Sequence, residues 1–345
     1  MHIERVDLTD AQSIGACDEV CLAAQEADCP EEPRLTAGPF RGWLTVGWDG
    51  NPREVWLAAA TSSMLAGDGK RRPVLGWYRL ELPERENQDR ANLDLVVHPA
   101  ERRRGLGTAL LRHAAERAAC HGRSVLASAT RDGTPGAAFA RSAGAEPGVV
   151  EVQRMLELGK LADGRLERLR EQAERAAAGY SLVSWTGPVP EEFIERVAPV
   201  YDALNDAPHD EGEAPTFWDA QRVREANARQ PQYGSREYTV AAVHGAVASG
   251  EVVALTQVVV DPAHPDWAHQ AITGVSRAHR GHRLGLLVKV AMLDLLIAAE
   301  PQVERMSTWN GAENPYMIAV NEALGYTVLG PPSTSQQLSV AAARG

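Results

Sequence analysis

The stretch VVHPAERRRGLGTALL, residues 96–111, decides how the rest of the chain is read. An apolar pair runs into a Pro, three arginines follow, and Gly105-Leu106-Gly107 opens a segment with helical spacing. A strand that stops at Pro99 and a helix that starts near Gly107 would bring unpaired backbone N–H groups and the positive end of a helix to one spot. Such a spot suits an anion, phosphate above all. Glycines there keep side chains from blocking a ligand's approach to the backbone. Two better-known phosphate loops do not fit. No Gly-Lys-Ser/Thr closes a P-loop, and no Gly-x-Gly-x-x-Gly followed by an acidic residue after the next strand marks a Rossmann turn.

The motif has an echo. GVSRAHRGHRLG from 274 answers VVHPAERRRGLG from 96, and VNEALGYT from 320 answers FARSAGAE from 139, both at offsets near half of the 345 residues. The surrounding order agrees as well. EVWLAAA (54–60), GWYRLEL (76–82) and NLDLVV (92–97) read as strands, residues 107–121 as a helix, RSVLASA as a strand and GAAFARSAG as a helix. In the second half EYTVAAV, VVALTQVVV and HQAITGV read as strands, 286–299 as a helix, VERMSTW as a strand and NPYMIAVNEALG as a helix. Each half is therefore α/β with its helices late. Residues 160–179, charged and free of Pro, read as a connecting helix between an N-terminal domain, 1–159, and a C-terminal domain, 180–345.

Composition narrows the function. With 44% hydrophobic and 23% charged residues the chain has the makeup of a globular protein with sizeable cores. No basic leader followed by an apolar run opens it, and the most apolar segment carries Lys289 and Asp294, so a cytoplasmic protein with no membrane partner is expected. A formal charge of -11 argues against nucleic acid as a partner. Cys17, Cys21, Cys29 and Cys120 match no metal template and read as free thiols; His264, His269 and Asp261 fit none either, so no metal is expected.

Arg102-Arg103-Arg104-Gly105-Leu106-Gly107 resembles the Gln/Arg-x-x-Gly-x-Gly/Ala signature of the GNAT superfamily of acyl-CoA-dependent N-acyltransferases, and Arg280-Gly281-His282-Arg283-Leu284-Gly285 resembles it again with Arg283 at the first glycine. The resemblance implies an α/β (α+β) class with two tandem GNAT folds, each a mixed, mostly antiparallel sheet flanked by helices and splayed between its fourth and fifth strands. It implies acetyl-CoA as cofactor, its pyrophosphate held by backbone amides from Arg103 to Thr108 and from His282 to Leu286, beside Val97, Thr273 and Val275 on the strands before the loops. STWNGAENPYMIAVNEALGY resembles the segment in which an Asn meets the pantetheine arm or the phosphates, which points to Asn310 and Asn314.

The same resemblance implies direct transfer of the acetyl group to a small-molecule amine, with the C-terminal half expected to act. Many members protonate the leaving thiolate with a Tyr four residues before the terminal glycine. Asn321 and Ala140 stand there instead, leaving Tyr326 or Tyr316 as substitutes. Some members place a carboxylate base on the fourth strand, six residues before the valine; that position holds His269 in the second half and Ala91 in the first. Asp94 and Asn92 are further candidates on the first half's fourth strand. The acidic run NDAPHDEGEAPTFW, with Asp206, Asp210, Glu211 and Glu213, falls where the family covers its acceptor site and would draw in a cationic amine. The alternative reading is a non-catalytic acyl-CoA sensor or scaffold, since both halves lack the usual acid.

Overall fold

The computed structural model describes residues 2–34, 36–47, 49–60, 73–161 and 164–345. The chain forms two compact units. In the first, β1 (His2–Arg5), α1 (Ala11–Asp28) and α2 (Ala37–Thr45) precede β2 (Arg53–Ala59), β3 (Val74–Glu81), β4 (Arg90–Val97), α3 (Leu106–Cys120), β5 (Val125–Arg131) and α4 (Pro135–Ser142). Strands β1 to β4 pair antiparallel in order, and β5 runs parallel to β4. The early helices α1 and α2 were not expected from the sequence.

Strand β6 (Glu146–Glu157) enters the second unit at Val150. There follow α5 (Arg165–Ala176), β7 (Tyr180–Thr186), α6 (Ile194–Asp202), α7 (Ala220–Arg229), β8 (Arg236–His244), β9 (Glu251–Val260), β10 (Trp267–Val275), α8 (Leu284–Ala299), β11 (Arg305–Gly311), α9 (Pro315–Leu324) and the short β12 (Thr327–Val328). Strands β7 to β10 are antiparallel and β11 is parallel to β10. Then β13 (Ser333–Ser339) and α10 (Val340–Arg344) return to the first unit.

This return corrects the linear division expected from the sequence. β13 completes the first sheet by pairing antiparallel with β5, and residues 151–157 of β6 pair antiparallel with β11 in the second. Each sheet's last strand is thus supplied by the other half of the sequence. Residues 150–159 and 330–345 both lie on the other side of the expected cut, and so does 210–214, which belongs to the first unit. The segment expected as a connecting helix does hold α5, which packs its Ala173 into the core of the second unit and pairs Arg170 with Asp294 of α8; residues 162–163 lie outside the described residues.

Two apolar layers sandwich each sheet. In the first unit Leu110, Ala114 and Ala118 of α3 pack on one face, and Phe40, Leu44 and Trp77 fill the other under α1 and α2. In the second, Val288, Met292 and Leu296 of α8 cover one face, and Val197 and Val200 of α6 with Val223 of α7 cover the other. Truncating a fully buried leucine such as Leu110 would cost about 2–5 kcal/mol. Side-chain caps start several helices: Asp10 on α1, Thr134 on α4, Asp219 on α7 and Asn314 on α9. No helix is long and apolar enough to cross a membrane among the described residues.

Candidate functional site

The central parallel pair of each sheet is short. β4 and β5 pair only from Arg90↔Val125 to Asn92↔Ala127, and β10 and β11 only from Trp267↔Arg305 to Gln270↔Thr308. Beyond those points β5 keeps only β13 and β11 only β6 as ladder partner, so a wedge opens beside β4 and β10 toward the loops that start α3 and α8. The second wedge has a feature the first lacks. Between Gln270 and Ile272 the β10–β9 register skips Ala271, a bulge that leaves one residue's backbone out of the ladder, whereas β3–β4 runs in unbroken register.

The two loops share one construction. Each has two left-handed positions: Arg103 (φ 63°) and Gly105 (φ 81°) in the first, Gly281 (φ 90°) and Arg283 (φ 53°) in the second. Glycine and arginine have exchanged places between them. Arg102 donates from Nε to the Val97 carbonyl at 3.2 Å and grips Asp28 with both terminal nitrogens at 2.7 Å; Arg280 donates to the Val275 carbonyl at 3.3 Å and pairs with Asp206, as Arg277 does. Both arginines, expected on the phosphate, instead brace their loops against the strands. Arg104 pairs with Glu101, and Arg283 donates to Gln172 at 3.1 Å. Leu106, Leu284 and Leu286 point into the cores, so only their amides can meet a ligand.

No side chain caps α3 or α8, in contrast to α1, α4, α7 and α9. Their first amides, at Leu106, Gly107 and Thr108 and at Leu284, Gly285 and Leu286, are therefore open to an anion, and Gly105 and Gly281 carry no neighbour within 4 Å of a would-be Cβ. A pyrophosphate fits either loop. Behind the first loop the Phe139 ring of α4 lies 3.5 Å from where a Cβ on Gly107 would be; at Gly285 the nearest group is Val275, at 3.7 Å.

On the α8 side the second wedge ends on a buried polar cluster. Lys289, 1% exposed, donates from Nζ to Gln270 Oε1 at 2.7 Å and to Asn321 Oδ1 at 2.6 Å. Gln270 donates in turn to Thr256 Oγ1 (2.8 Å), which bonds Thr273 Oγ1 (2.8 Å), and Asn321 donates to Asn310 Oδ1 (3.2 Å). Thr273, Asn310, Asn321 and Tyr326, named separately from the sequence, so belong to one network. Tyr326 is a poor acid: its hydroxyl donates to Gln270 at 3.1 Å and burial drives its pKa up. Tyr316 is 85% exposed. Asn314 caps α9, where its Oδ1 accepts from the Met317 amide.

The opposite face of each sheet, under α1/α2 or α6/α7, differs between units. In the first, Arg79 binds Asp94 at 2.7 Å, donates to the Trp43 carbonyl and stacks on the Trp43 ring at 4.1 Å, while Glu81 lies 3.6 Å from Arg53 and accepts from Asn92. That closes the face with compensated charge and occupies Asp94 and Asn92. In the second, Glu237, Val259 and His269 stand in one cross-strand row. The Glu237 carboxylate accepts from Gln257 at 3.2 Å, Gln257 also donates to Tyr201, and burial raises Glu237 to about 7. His269 is less basic than expected: burial lowers it to about 4. Its Nδ1 sits 3.1 Å from Ser307 Oγ, which already accepts from the Trp267 indole, so the hydroxyl proton is free to go to the imidazole.

The acidic run does not assemble as expected. Asp210 accepts from the Val149 amide and Ser335, and a side chain at Gly148 would strike it; Glu211 offers its carbonyl to Arg90, and Glu213 accepts from the Asp210 amide. All three belong to the first unit, where Asp210 ties β6 and β13 together. Among the described residues no group of three or more metal-ligating side chains occurs. Sequence reasoning missed Lys289, Gln270 and Glu237. The one signal was a lysine inside the apolar run LGLLVKVAML.

Residues 23–145 match the family described as the Acetyltransferase (GNAT) family. A tandem GNAT protein from the clavulanic acid biosynthesis pathway, solved without acetyl-CoA, is 28% identical and superposes with a TM-score of 0.75 over 98% of both chains. A GCN5-related N-acetyltransferase from Sphaerobacter thermophilus, 17% identical, shares the fold at a TM-score of 0.66 over 98% of this chain and 95% of its own. No curated protein matches the chain.

Proposed function

We propose that this chain, whose residues 23–145 match the GNAT family and which is similar over 98% of its length to a tandem GNAT protein, is a tandem GNAT acyltransferase whose C-terminal half moves an acetyl group from acetyl-CoA to an amine of a small molecule, while the N-terminal half holds a coenzyme or serves the fold. Acetyl-CoA supplies the activated thioester; the residues must place it, take a proton from the amine and stabilise developing charge. The amides at the start of α8 suit the pyrophosphate, and the bulge at Ala271 leaves a strand backbone group free beside the wedge.

The observation that carries this reading is the contrast between the two faces. The first unit fills its face with the Arg53, Glu81, Arg79 and Asp94 ion pairs, whereas the second presents Glu237 with an amide partner and no arginine. A carboxylate raised to about 7 is matched to accept a proton near neutral pH, so Glu237 is the general base in this reading, and His269, at about 4, holds Ser307 and shapes the face.

Calorimetric titration of acetyl-CoA into the wild type, Gly107→Glu and Gly285→Glu, with an assay of amine-dependent coenzyme A release on each, tests the choice of half. Neither glycine has a positive φ, so each change adds bulk and negative charge at a helix start without backbone strain. Gly285→Glu should abolish amine-dependent release of coenzyme A while Gly107→Glu retains it. The reverse pattern would move the active site to the first unit.

A further inference from the structure

We propose that Lys289 is the group that protonates the departing coenzyme A sulfur in the C-terminal half. The proposal rests on the reading that this half is the catalytic one. Its starting point is a physical anomaly. The chain has 32 arginines and only three lysines, Lys70, Lys160 and Lys289, and one of the three is sealed in the core of the second unit. Its partners Gln270 and Asn321 are neutral amides, and the nearest ring, Tyr326, lies 5.4 Å from Nζ. Among the described residues no carboxylate joins this cluster. A buried ammonium without a counter-charge is costly, and an apolar residue of similar length would pack there without that cost.

Position gives the lysine a use. Gln270 is the last residue of β10 paired with β11 before the wedge opens, and Asn310 and Asn321 flank the same opening. Five residues of strand, about 17 Å at ~3.3 Å each, separate Gln270 from Val275 at the phosphate loop. An extended pantetheine arm reaching from that loop ends its thioester near Gln270 and the lysine. Nζ carries three hydrogens, and the amide oxygens take two of them. The third is the proton to be moved.

The step balances. As the amine nitrogen forms its bond to the acyl carbon, the C–S bond breaks and its electron pair stays on sulfur; Nζ gives sulfur a proton and is left a neutral amine. The amine's own proton goes to Glu237, and Nζ regains one from solvent once the product leaves. Burial lowers Lys289 to about 7, which allows both forms near neutrality. An arginine in its place could not do this, because a guanidinium does not release its proton.

The test reads the lysine itself. A Lys70→Arg/Lys160→Arg chain retains Lys289 as its only lysine, and carbon-13 labelling of that residue reports its ionisation directly. The ε signal should titrate near pH 7 in the free protein, and its midpoint should rise by about one unit when coenzyme A binds, because the thiolate form of the ligand favours the ammonium. Desulfo-coenzyme A should bind without that rise. In parallel, Lys289→Met should bind coenzyme A within threefold of wild type yet lower amine-dependent turnover by about 10²-fold or more. Equal responses to coenzyme A and desulfo-coenzyme A, with binding at the α8 loop intact, would overturn the lysine's role alone. If Gly285→Glu binds coenzyme A as the wild type does and the Lys289 signal ignores both ligands, the choice of catalytic half fails with it.

Discussion

At the scale of single residues, burial sets the ionisation of the three groups that matter, and it does so in opposite directions for acid and base. Desolvation raises the Glu237 carboxyl to about 7 and lowers the His269 imidazole and the Lys289 ammonium, in each case against the charged form. A carboxyl raised above its unfolded value favours the folded state while protonated. That contribution is whole below about pH 4.5 and is lost as pH rises through about 7. Glu237→Gln, neutral at every pH, should therefore match the wild type at pH 4 and exceed it by roughly 2–3 kcal/mol at pH 8 in denaturant melts. The same variant should lose about 10²-fold in amine-dependent turnover along with the rise in rate through pH 7, whereas His269→Gln should keep turnover within threefold. A rate profile that follows His269 would return the base to the histidine. Sequence spacing found His269 because it counts along one strand; Glu237 lies two strands away in the row, and only sheet register brings it level.

The scale of the element explains how two loops of unlike sequence come to share one construction. What they share is a pattern of backbone conformation, left-handed at two positions with one residue between, followed by a helix with no side-chain cap. Arg283 adopts a φ that costs a residue with a Cβ about 1 kcal/mol and that glycine adopts freely. Arg283→Gly should stabilise the second unit by about 1 kcal/mol in denaturant melts, its contact with Gln172 being exposed and worth little. An unchanged or lower stability would mean that the guanidinium holds the loop. The motif residues were legible in the sequence, as were the strands and helices beside them, because they are local. The roles of Arg102 and Arg280 were not: their partners Asp28 and Asp206 lie more than seventy residues away along the chain.

At the scale of the whole molecule, the exchange of terminal strands binds the fate of one half to the other. Residues 1–159 alone lack β13, so β5 is left with an unpaired edge, and 180–345 alone lack β6, so β11 is left likewise. Each fragment, made separately, should aggregate or show a broad, non-cooperative melt by circular dichroism, and the full chain should not. Two soluble fragments with sharp melts would show that the final strands are dispensable. The sequence by itself determined the alternation of strands and helices and the two glycine- and arginine-rich loops, since each is written in neighbours a few residues apart, and the duplication, since those local patterns recur about half the chain later. Tertiary structure alone decided which strand closes which sheet, that Asp210 is a tie within the first unit, and that a lysine in an apolar helix faces amides instead of water. Those outcomes depend on which distant groups share a desolvated space, and desolvation has no local signature.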